Sequence, residues 1–533
     1  MNTYDFIIIG GGSAGCVLAE RLSACGKHQV CLLEAGPKDK HWSIHLPLGV
    51  IDLMKSKTLN WQLNSHPEKT QNNRQIFNPR GKTLGGSSSV NCMLYTRGQS
   101  EDYNHWSDLG NVGWSYDEVL PYFKSTQHQE RGENQYHGVN GGLNVAESRS
   151  KPSINEDFFL AAQDAGFPLN SDFNGEHQEG IGYYQVTQKD GLRCSAAKAF
   201  LTPNLNRPNL TVITDVLVEK IEIINHQATG IHYKNKGKHY QLHANKEVIL
   251  SAGAYGSPQI LMLSGIGDKD ELAKHDIGLV HELKGVGKNL QDHVDAIVVT
   301  HHHRTDLLSL RPKGLWWAIK QSLKFIKDRS GLLTSVVAES GGFIKSSPSI
   351  KRPDLQLHFI PAAMDDHGRN IKLLFNYGIA LHVCLLRPKS RGQVSLYGNN
   401  ATLHPKIELN MLDHPDDIKI MIKGIKIARD ILSKSPLIEN NGHEIFPGSS
   451  YQTDEEIHQF LKNKSNTIYH PVGTCKMGSD EMAVVDNQLK VHGISNLRVV
   501  DASIMPTLIS GNTNAPTIMI GAKIADVILA AYN

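Results

Sequence analysis

Three glycines and one glutamate near the start of the chain have the types and the spacing of a dinucleotide-binding site. Gly10, Gly12 and Gly15 follow the pattern GxGxxG, which permits a tight turn and a close approach of the backbone to a pyrophosphate. Glu34 stands 19 residues after Gly15, where a carboxylate can accept hydrogen bonds from both hydroxyls of a ribose. A carboxylate there repels a 2′-phosphate, so the residues predict FAD or NAD rather than NADP.

The elements that must position these residues are also visible in the sequence. Residues 6–9 form a continuous apolar run, which is typical of a parallel strand buried on both faces. Val17, Leu18 and Leu22 then recur at helical spacing. Residues 30–33 form a second apolar run that ends at the glutamate. The order strand, glycine turn, helix, strand places the start of the helix against the pyrophosphate, where its N–H groups favour negative charge.

The composition excludes several classes of protein. The 533 residues exceed what one hydrophobic core supports, so more than one core is expected. Lys and Arg number 55 against 53 Asp and Glu, and this balance excludes a broad cationic surface for nucleic acid. The seven cysteines contain no CxxC pair, so neither a disulfide framework nor a metal site is predicted. No transmembrane segment and no basic leader are evident, and we expect a cytoplasmic protein.

Four further blocks of sequence together resemble one family. They read PRGKTLGGSSSVNCMLYTRG at residues 79–98, GAYGSPQILMLSGIG at 253–267, YHPVGTCKMG at 469–478, and VVDASIMP with SGNTNAPTIMIG near the C-terminus. In this order and spacing they resemble the glucose-methanol-choline (GMC) oxidoreductases, a family of FAD enzymes, over essentially the whole chain. RGQSEDYNHW, DLQLHFIPA and LRPKSRG are similar to its bacterial alcohol and choline dehydrogenase branch.

This resemblance implies the fold and the division into domains. The expected class is α/β, or α+β overall, with a Rossmann-like FAD-binding domain and a substrate domain that has a mainly antiparallel sheet flanked by helices. We expect residues 1–155, 195–297 and 465–533 in the first domain, and 156–194 and 298–464 in the second. Strands are predicted at 212–224 and 247–251 in the first domain, and at 354–360, 380–386 and 393–396 in the second.

The resemblance also implies which residues hold FAD. The residues expected around the ADP half are Gly10, Gly12, Ser13, Ala14, Gly15, Glu34, Ala35 and Val218, the last through its backbone at the adenine. Those expected near the pyrophosphate and the flavin are Gly85, Gly86, Ser87, Asn91, Met93, Asp501 and Ala502. Asp501 has a second reading, as a carboxylate satisfied by backbone donors at a strand-to-helix turn. Some relatives attach the flavin through a histidine before the asparagine, but Val90 stands there, so noncovalent FAD is predicted.

By the same resemblance, His470 and Asn514 are the catalytic pair. A neutral imidazole can accept the hydroxyl proton of an alcohol near neutral pH. The carbinol carbon then delivers hydride to flavin N5, while the amide of Asn514 steadies the developing oxyanion. The predicted activity is the FAD-dependent oxidation of a primary alcohol to the aldehyde.

The substrate and the acceptor stay open at the level of sequence. An aliphatic alcohol is favoured and choline is the alternative; Trp61, Trp316, Trp317, Asp365 and Asp366 are candidates for an ammonium cage, although Trp316 and Trp317 are more typical of an apolar helix face. His358 is a candidate for the substrate pocket or a satisfied histidine. Rival readings are a flavin-containing hydroxynitrile lyase without net redox, an NAD dehydrogenase and an inactive scaffold. The acceptor is a quinone, oxygen or another carrier, and a quinone would bring the protein to the periphery of the inner membrane.

Overall fold

Two large sheets organise the chain. A computed structural model describes residues 2–365 and 368–532. The α-helices of the described residues are α1 (Ser13–Ala24), α2 (Trp42–His45), α3 (Val50–Leu53), α4 (Ser100–Asp108), α5 (Tyr116–Thr126), α6 (Ile154–Asp164), α7 (Gly253–Leu263), α8 (Lys269–Ala273), α9 (Pro312–Asp328), α10 (Pro415–Leu432), α11 (Asp454–Lys464) and α12 (Asn514–Tyr532).

The strands follow the same numbering along the chain. They are β1 (Thr3–Ile9), β2 (Val30–Leu33), β3 (Leu63–Asn64), β4 (Phe77–Asn78), β5 (Gln127–Gln129), β6 (Leu143–Glu147), β7 (Gly180–Tyr183), β8 (Gln185–Val186), β9 (Gln188–Lys189), β10 (Leu192–Arg193), β11 (Leu210–Ile213), β12 (Val216–Ile224), β13 (Gln227–Asn235), β14 (Lys238–Leu250), β15 (Ile266–Gly267), β16 (His281–Glu282), β17 (Val294–His302), β18 (Ser340–Ile344), β19 (Leu355–Ile360), β20 (Gly378–Leu385), β21 (Gln393–Ser395), β22 (Lys406–Glu408), β23 (Asn441–Phe446), β24 (Asn466–Thr467) and β25 (Leu497–Val499).

The first sheet carries the glycine turn. Its order is β11-β2-β1-β14-β13-β12, with β25 also on β14. Strands β11, β2, β1, β14 and β25 run parallel, whereas β12, β13 and β14 form antiparallel pairs. All residues of β2 are buried, as expected for a strand covered on both faces. Helix α1 packs against α12, which also contacts α5. The carboxyl ends of β1, β2 and β14 therefore meet at one edge, where ligands of open α/β sheets bind.

The second sheet is antiparallel. Its order is β23-β17-β20-β19-β18-β7, with β24 also on β17, and α10 packs against β17 and β20. The mixed α/β class and the Rossmann-like first sheet confirm the predicted fold. The predicted strands at 354–360 and 380–386 are β19 and β20, but β21 pairs only with β22 in a small separate sheet. The domain boundaries stay a prediction.

Helix α12 is long and apolar enough to cross a bilayer by composition alone. Its 19 residues have a mean hydropathy of 1.4 over the most apolar window, of which 61% is buried inside the protein. Within the described chain no other helix meets the same test. Because α12 packs on α1 and α5, we interpret it as a core helix.

Candidate active site

A cavity of about 920 Å³ extends from the carboxyl edge of the first sheet to the second sheet. It receives residues from the glycine turn and from β2 and β12 at one end, and from β19 and β20 at the other. All of the residues predicted to bind the cofactor or to act on the substrate line this cavity, except Gly15 and Gly85. The volume is at the upper end of the range for ligand cavities.

Glycine suits the three positions of the first turn for different physical reasons. A Cβ at Gly10, where φ is +105°, would collide with the carbonyl of Ser251, and a Cβ at Gly15 would collide with the carbonyl of Gly10. These two glycines are therefore required by the packing of strand and helix. A Cβ at Gly12 would meet no atom within 4 Å. Gly12 thus leaves open space at the start of α1, where a phosphate would lie.

Glu34 is held in place by the loops around it. Its Oε2 accepts a hydrogen bond from Gly11 N at 2.9 Å, and its Oε1 accepts one from Gly36 N at 2.8 Å. Burial raises the pKa of Glu34 to about 7, although these bonds act in the opposite direction. Each carboxylate oxygen has a second lone pair, so Glu34 can still accept from ribose hydroxyls.

The second glycine loop approaches the first. Gly85 and Gly86 both have positive φ, +87° and +52°, a conformation that suits residues without Cβ. A Cβ at Gly86 would stand 2.8 Å from Cα of Gly12, so a side chain at Gly86 would close the space between the two loops. Gly85 N donates to Gly11 O at 2.7 Å. The two loops therefore form one cradle.

Asn91 follows this loop and is held by a buried arginine, and its side chain in turn holds the backbone of Met93. The Oδ1 of Asn91 accepts from Met93 N at 3.0 Å and from Nη1 of Arg193 at 2.8 Å. Arg193 also donates to the carbonyls of Ile44 and Ser88, and burial lowers its pKa to about 10. Arg193 has no counterpart in the predicted site, and no sequence motif pointed to it.

Asp501 is already satisfied by the protein. Its Oδ2 accepts from Gly253 N at 2.9 Å and from Ser257 Oγ at 2.5 Å, and its Oδ1 accepts from Ser503 N at 2.8 Å. This arrangement is the second reading given above, a carboxylate at a strand-to-helix turn. Asp501 also lines the cavity together with Ala502 and Val218. These hydrogen bonds therefore do not separate its side chain from the space for a cofactor.

His470 projects into the cavity from a constrained backbone. Tyr469, which precedes it, has φ +71°, an uncommon conformation for an aromatic residue. The carboxylate of Asp292 accepts a hydrogen bond from His470 N at 2.8 Å and another from Thr467. Arg80 Nη2 donates to the carbonyl of Tyr469 at 2.7 Å. These anchors fix the backbone from which the imidazole ring projects.

The tautomer of His470 follows from its partner His293. Nε2 of His293 lies 3.0 Å from the carbonyl of Leu386 and 3.1 Å from that of Ile509, and carbonyls only accept, so this nitrogen carries the proton. Burial lowers the pKa of His293 to about 4, so its Nδ1 is an acceptor. Nδ1 of His470, 2.9 Å away, is therefore the donor. The lone pair of His470 is on Nε2, and burial lowers its pKa well below the ordinary value.

Asn512, and not Asn514, is the amide next to this lone pair. Nδ2 of Asn512 lies 3.2 Å from Nε2 of His470, while its Oδ1 accepts from Thr96 and Gln356. Among the described residues no hydrogen bond joins Asn514 to His470, although both line the cavity. Asn514 begins α12, and its Oδ1 accepts from Ser13 Oγ at 2.8 Å. The start of the helix turns this side chain back toward the glycine turn.

The far end of the cavity combines apolar walls with two histidines. The apolar lining there is Val336, Val337, Ala338, Ile360 and Met364. His358 of β19 and His382 of β20 stand opposite each other in the sheet and both line the cavity. Nδ1 of His382 is 2.7 Å from the buried carboxylate of Asp295. This partner raises the pKa of His382, although burial acts in the opposite direction.

The predicted ammonium cage does not assemble in the described residues. Trp61 lines the cavity, but Lys82 Nζ lies 4.6 Å from its ring centre. Trp316 and Trp317 lie on α9, away from the lining, and Asp365 pairs with Lys464 at 2.8 Å. Asp366 lies outside the described residues. Among the described residues that line the cavity, the carboxylates are those of Glu34, Asp215 and Asp501.

Comparison with known proteins decides the family. The family model of the GMC oxidoreductase N-terminal part matches residues 4–295, and that of the C-terminal part matches residues 388–521. The chain belongs to the GMC oxidoreductase family. The resemblance and the prediction of an oxidoreductase of this family are thus confirmed.

Relatives within the GMC family have similar lengths. The chain is 48% identical over 533 residues to "Alcohol dehydrogenase [acceptor]" of Pseudomonas putida, covering 99% of this chain and 96% of that one. It is 41% identical over 543 residues to the mitochondrial choline dehydrogenase of Mus musculus, covering 99% and 89%. Pyridoxine 4-oxidase of Mesorbium loti has a similar structure, with a TM-score of 0.90 at 27% identity, covering 99% of each chain.

The cavity fits the cofactor of GMC oxidoreductases. A solved GMC neighbour, formate oxidase of Aspergillus oryzae, carries FAD by its description and has a TM-score of 0.89 at 27% identity, covering 100% of this chain and 99% of that one. In this chain the open space at Gly12, the cradle of the two loops and the remaining lone pairs of Glu34 all suit the ADP half. Val90 lines the cavity beside Asn91 and has no nucleophile.

Proposed function

We propose that this GMC oxidoreductase oxidises a primary alcohol with an apolar chain to the corresponding aldehyde. The observation that carries the proposal is the distance of 3.2 Å between Nδ2 of Asn512 and Nε2 of His470. The same cavity has an apolar wall formed by Val336, Ile360 and Met364. The Nε2 lone pair of His470 is a base, the amide of Asn512 is a donor, and the wall accommodates an apolar chain.

Each side chain of this site has a defined task. Nε2 of His470 accepts the hydroxyl proton, and the ring then carries a positive charge. Its Nδ1–H group stays hydrogen-bonded to His293. Nδ2 of Asn512 donates to the substrate oxygen as negative charge develops there, which stabilises the transition state more than the ground state. When bound, FAD supplies the redox chemistry by accepting the hydride that leaves the carbinol carbon. The substrate loses one proton and one hydride, and the product is the aldehyde.

Noncovalent binding of FAD is part of the proposal. The residues that would hold the ADP half are the glycine turn, Glu34 and Ala35, and those for the flavin half are the second glycine loop with Asn91 and Met93. Val90 supports dissociable binding because its side chain cannot form a bond to the flavin. Acid precipitation should leave the yellow colour in the supernatant, whereas colour retained in the pellet would contradict this point.

Choline is the alternative substrate, since choline dehydrogenases are among the relatives. A quaternary ammonium needs an aromatic cage or a nearby carboxylate. Asp295, the buried carboxylate next to the second sheet's histidines, is already paired with His382, and Lys82 covers Trp61. These two contacts favour a neutral alcohol. The proposed acceptor is a carrier such as a quinone; the name of the Pseudomonas putida relative specifies only that an acceptor is used.

The test is an anaerobic half-reaction. FAD-loaded protein receives hexanol, benzyl alcohol, glucose or choline, and the visible flavin absorbance is followed. We expect hexanol to bleach the flavin, and His470→Ala to slow bleaching by roughly 100-fold or more. Bleaching by choline in preference to hexanol would select the alternative. No bleaching by any alcohol, with FAD bound, would favour the hydroxynitrile lyase reading. Reoxidation by a soluble ubiquinone analogue, compared with oxygen, tests the acceptor.

A further inference from the structure

Helix α9 carries an exposed apolar surface that the catalytic proposal does not use. The helix comprises 17 residues, PKGLWWAIKQSLKFIKD, of which Gly314 is the buried one. Ile326 is 81% exposed, Trp316 59% and Leu323 58%. Large apolar side chains this exposed, and this close together, usually mark a surface for binding.

The exposed apolar residues lie on one side of the helix. At about 100° per residue, Leu315, Ile319, Leu323 and Ile326 recur with the spacing of a single face. We call the set Leu315, Trp316, Ile319, Leu323 and Ile326 the α9 apolar stripe. The residues that face the protein are different ones, since Trp317, Ala318, Gln321, Ser322 and Phe325 are half-buried.

A row of lysines borders the stripe. Lys313, Lys320, Lys324 and Lys327, the α9 basic stripe, are all exposed and fall on the adjoining part of the helix circumference. Asp328 is the single acidic residue of the helix. Nζ of Lys320 stands 5.3 Å from the ring centre of Trp316, so the two stripes are in contact. The helix therefore presents apolar and cationic groups side by side.

We propose that α9 docks in the surface of an anionic lipid bilayer, with the apolar stripe in the acyl boundary and the basic stripe on the headgroups. Such a combination of an apolar face containing Trp and Leu with a lysine-rich polar face is the composition of helices that lie in the membrane interface. Lysine stems can cover apolar surface while their ammonium groups reach the phosphates. The charge decides against a second copy of the chain, because two copies would bring two basic stripes together.

Further exposed apolar residues lie near the start of α9, and the chain that follows the helix leads to the cavity. Arg311 Nε donates to the carbonyl of Phe375 at 2.7 Å, and Ile371 and Phe375 are both exposed. After α9 the chain continues through the short helix Leu332–Thr334, which contacts α9, and then forms the cavity wall at Val336. The proposed membrane surface and part of the cavity wall thus belong to one continuous segment.

Vesicle co-sedimentation of the FAD-loaded full chain tests the proposal. We expect binding to vesicles of phosphatidylglycerol with phosphatidylethanolamine, weaker binding to phosphatidylcholine, and a blue shift of tryptophan fluorescence. Leu323→Ser with Ile326→Ser should lower the partition coefficient roughly tenfold or more. Lys320→Glu with Lys324→Glu should lower it roughly tenfold or more on anionic vesicles only. Leu160→Ser with Leu279→Ser, at residues of similar exposure elsewhere, is the matched control and should bind like the parent.

Two further measurements make the outcome decisive. Activity with a soluble dye acceptor should be the same in all variants, which shows that they fold and that a loss of vesicle binding is local. Absence of vesicle binding by the parent protein, or an equal loss in the control variant, would overturn the proposal. A dimer in sedimentation velocity that the Leu323→Ser, Ile326→Ser variant dissociates, without vesicle binding, would assign the stripe to a second copy instead. Neither vesicle binding nor sedimentation depends on which alcohol is oxidised.

Discussion

The Nδ1 atoms of His293 and His470 lie 2.9 Å apart, and two carbonyls on the far side of His293 decide which ring donates. Because those carbonyls hold the only proton of a neutral His293 on Nε2, the proton between the rings belongs to His470. His293 thereby directs the lone pair of His470 to Asn512 and the cavity. It is a positioning residue, which acts on the substrate through the orientation and tautomer of another side chain.

Replacing His293 tests this relationship. His293→Phe removes the acceptor, and we expect kcat to fall about 10- to 100-fold because His470 loses the partner that selects its tautomer. His293→Gln offers a carbonyl oxygen to the same proton and should recover part of the rate. Stopped-flow reduction of the flavin measures both variants, with melting temperature as the check on folding. Equal rates for the two variants would contradict the role assigned to the hydrogen bond.

Asn512 and Asn514 make different contacts, so their alanine variants should differ. Asn512→Ala removes the donor next to Nε2 of His470 and should slow flavin reduction by roughly 100- to 1000-fold. Asn514→Ala removes the bond from Ser13, which should lower stability by about 1 kcal/mol and leave the reduction rate within a few fold. A larger rate loss in Asn514→Ala than in Asn512→Ala would instead assign the role of donor to Asn514.

The pH dependence of kcat/KM should report the neutral form of His470. A base must be deprotonated to accept the substrate proton, and burial holds the pKa of His470 well below its usual value of about 6.5. The base form is therefore populated at pH 6.5 and is lost only as the pH falls through the lowered value. We expect the acid limb of kcat/KM below pH 6.5. A limb at or above pH 6.5 that disappears in a His470 variant would contradict this assignment.

The local elements of the site could be predicted from the sequence, whereas its long-range pairings could not. The turn at Gly10 and the strand before Glu34 follow from short patterns, since an apolar run and a glycine spacing are local. The pairing of His293 with His470 depends on β17 and β24 lying together, and no local pattern encodes it. The asparagines at 512 and 514 are two residues apart in one motif and both line the cavity, and only the start of α12 decides which of them contacts His470.

The surroundings of some elements were also beyond sequence reasoning. The apolar face of α9 was predicted from its residues, but its exposure depends on what the rest of the chain leaves uncovered. The sequence predicts a strand of the substrate domain at 393–396, and β21 is extended there. That β21 pairs with β22 and not with the large antiparallel sheet could not be predicted, because strand partners are set by tertiary packing and not by propensity.

Glu34 should make the stability of the apoprotein depend on pH. Its folded pKa of about 7 exceeds the usual value of about 4.3, so the folded state binds the proton more tightly and stability falls as the pH rises from about 4 to 7. Glu34→Gln should therefore stabilise the apoprotein above pH 7 by about 2 kcal/mol, after the loss of one acceptor bond. Urea unfolding at pH 8 and pH 4 measures this, and an equal effect at both would contradict it. FAD affinity should fall in the same variant.

Removing only one member of the buried pair of Asp295 and His382 should destabilise the protein strongly. His382→Val leaves the carboxylate of Asp295 without its cationic partner, which should destabilise the protein by about 3–5 kcal/mol. Adding Asp295→Val should recover most of that loss, because the buried charge is removed as well. Urea unfolding of the two single variants and the double variant gives the coupling energy. Additive losses in the double variant would show that the pair does not act as a unit.

The contact of α12 with α1 has a consequence for biosynthesis. The glycine turn is synthesised long before β25, which pairs with β14, and before α12, which covers α1 and places Asn514 on Ser13. A nascent chain that has already made its nucleotide turn therefore lacks the wall that completes it. Since cores assemble only when their parts are present, cofactor capture should follow the synthesis of α12, and chains that terminate before β25 should emerge without colour.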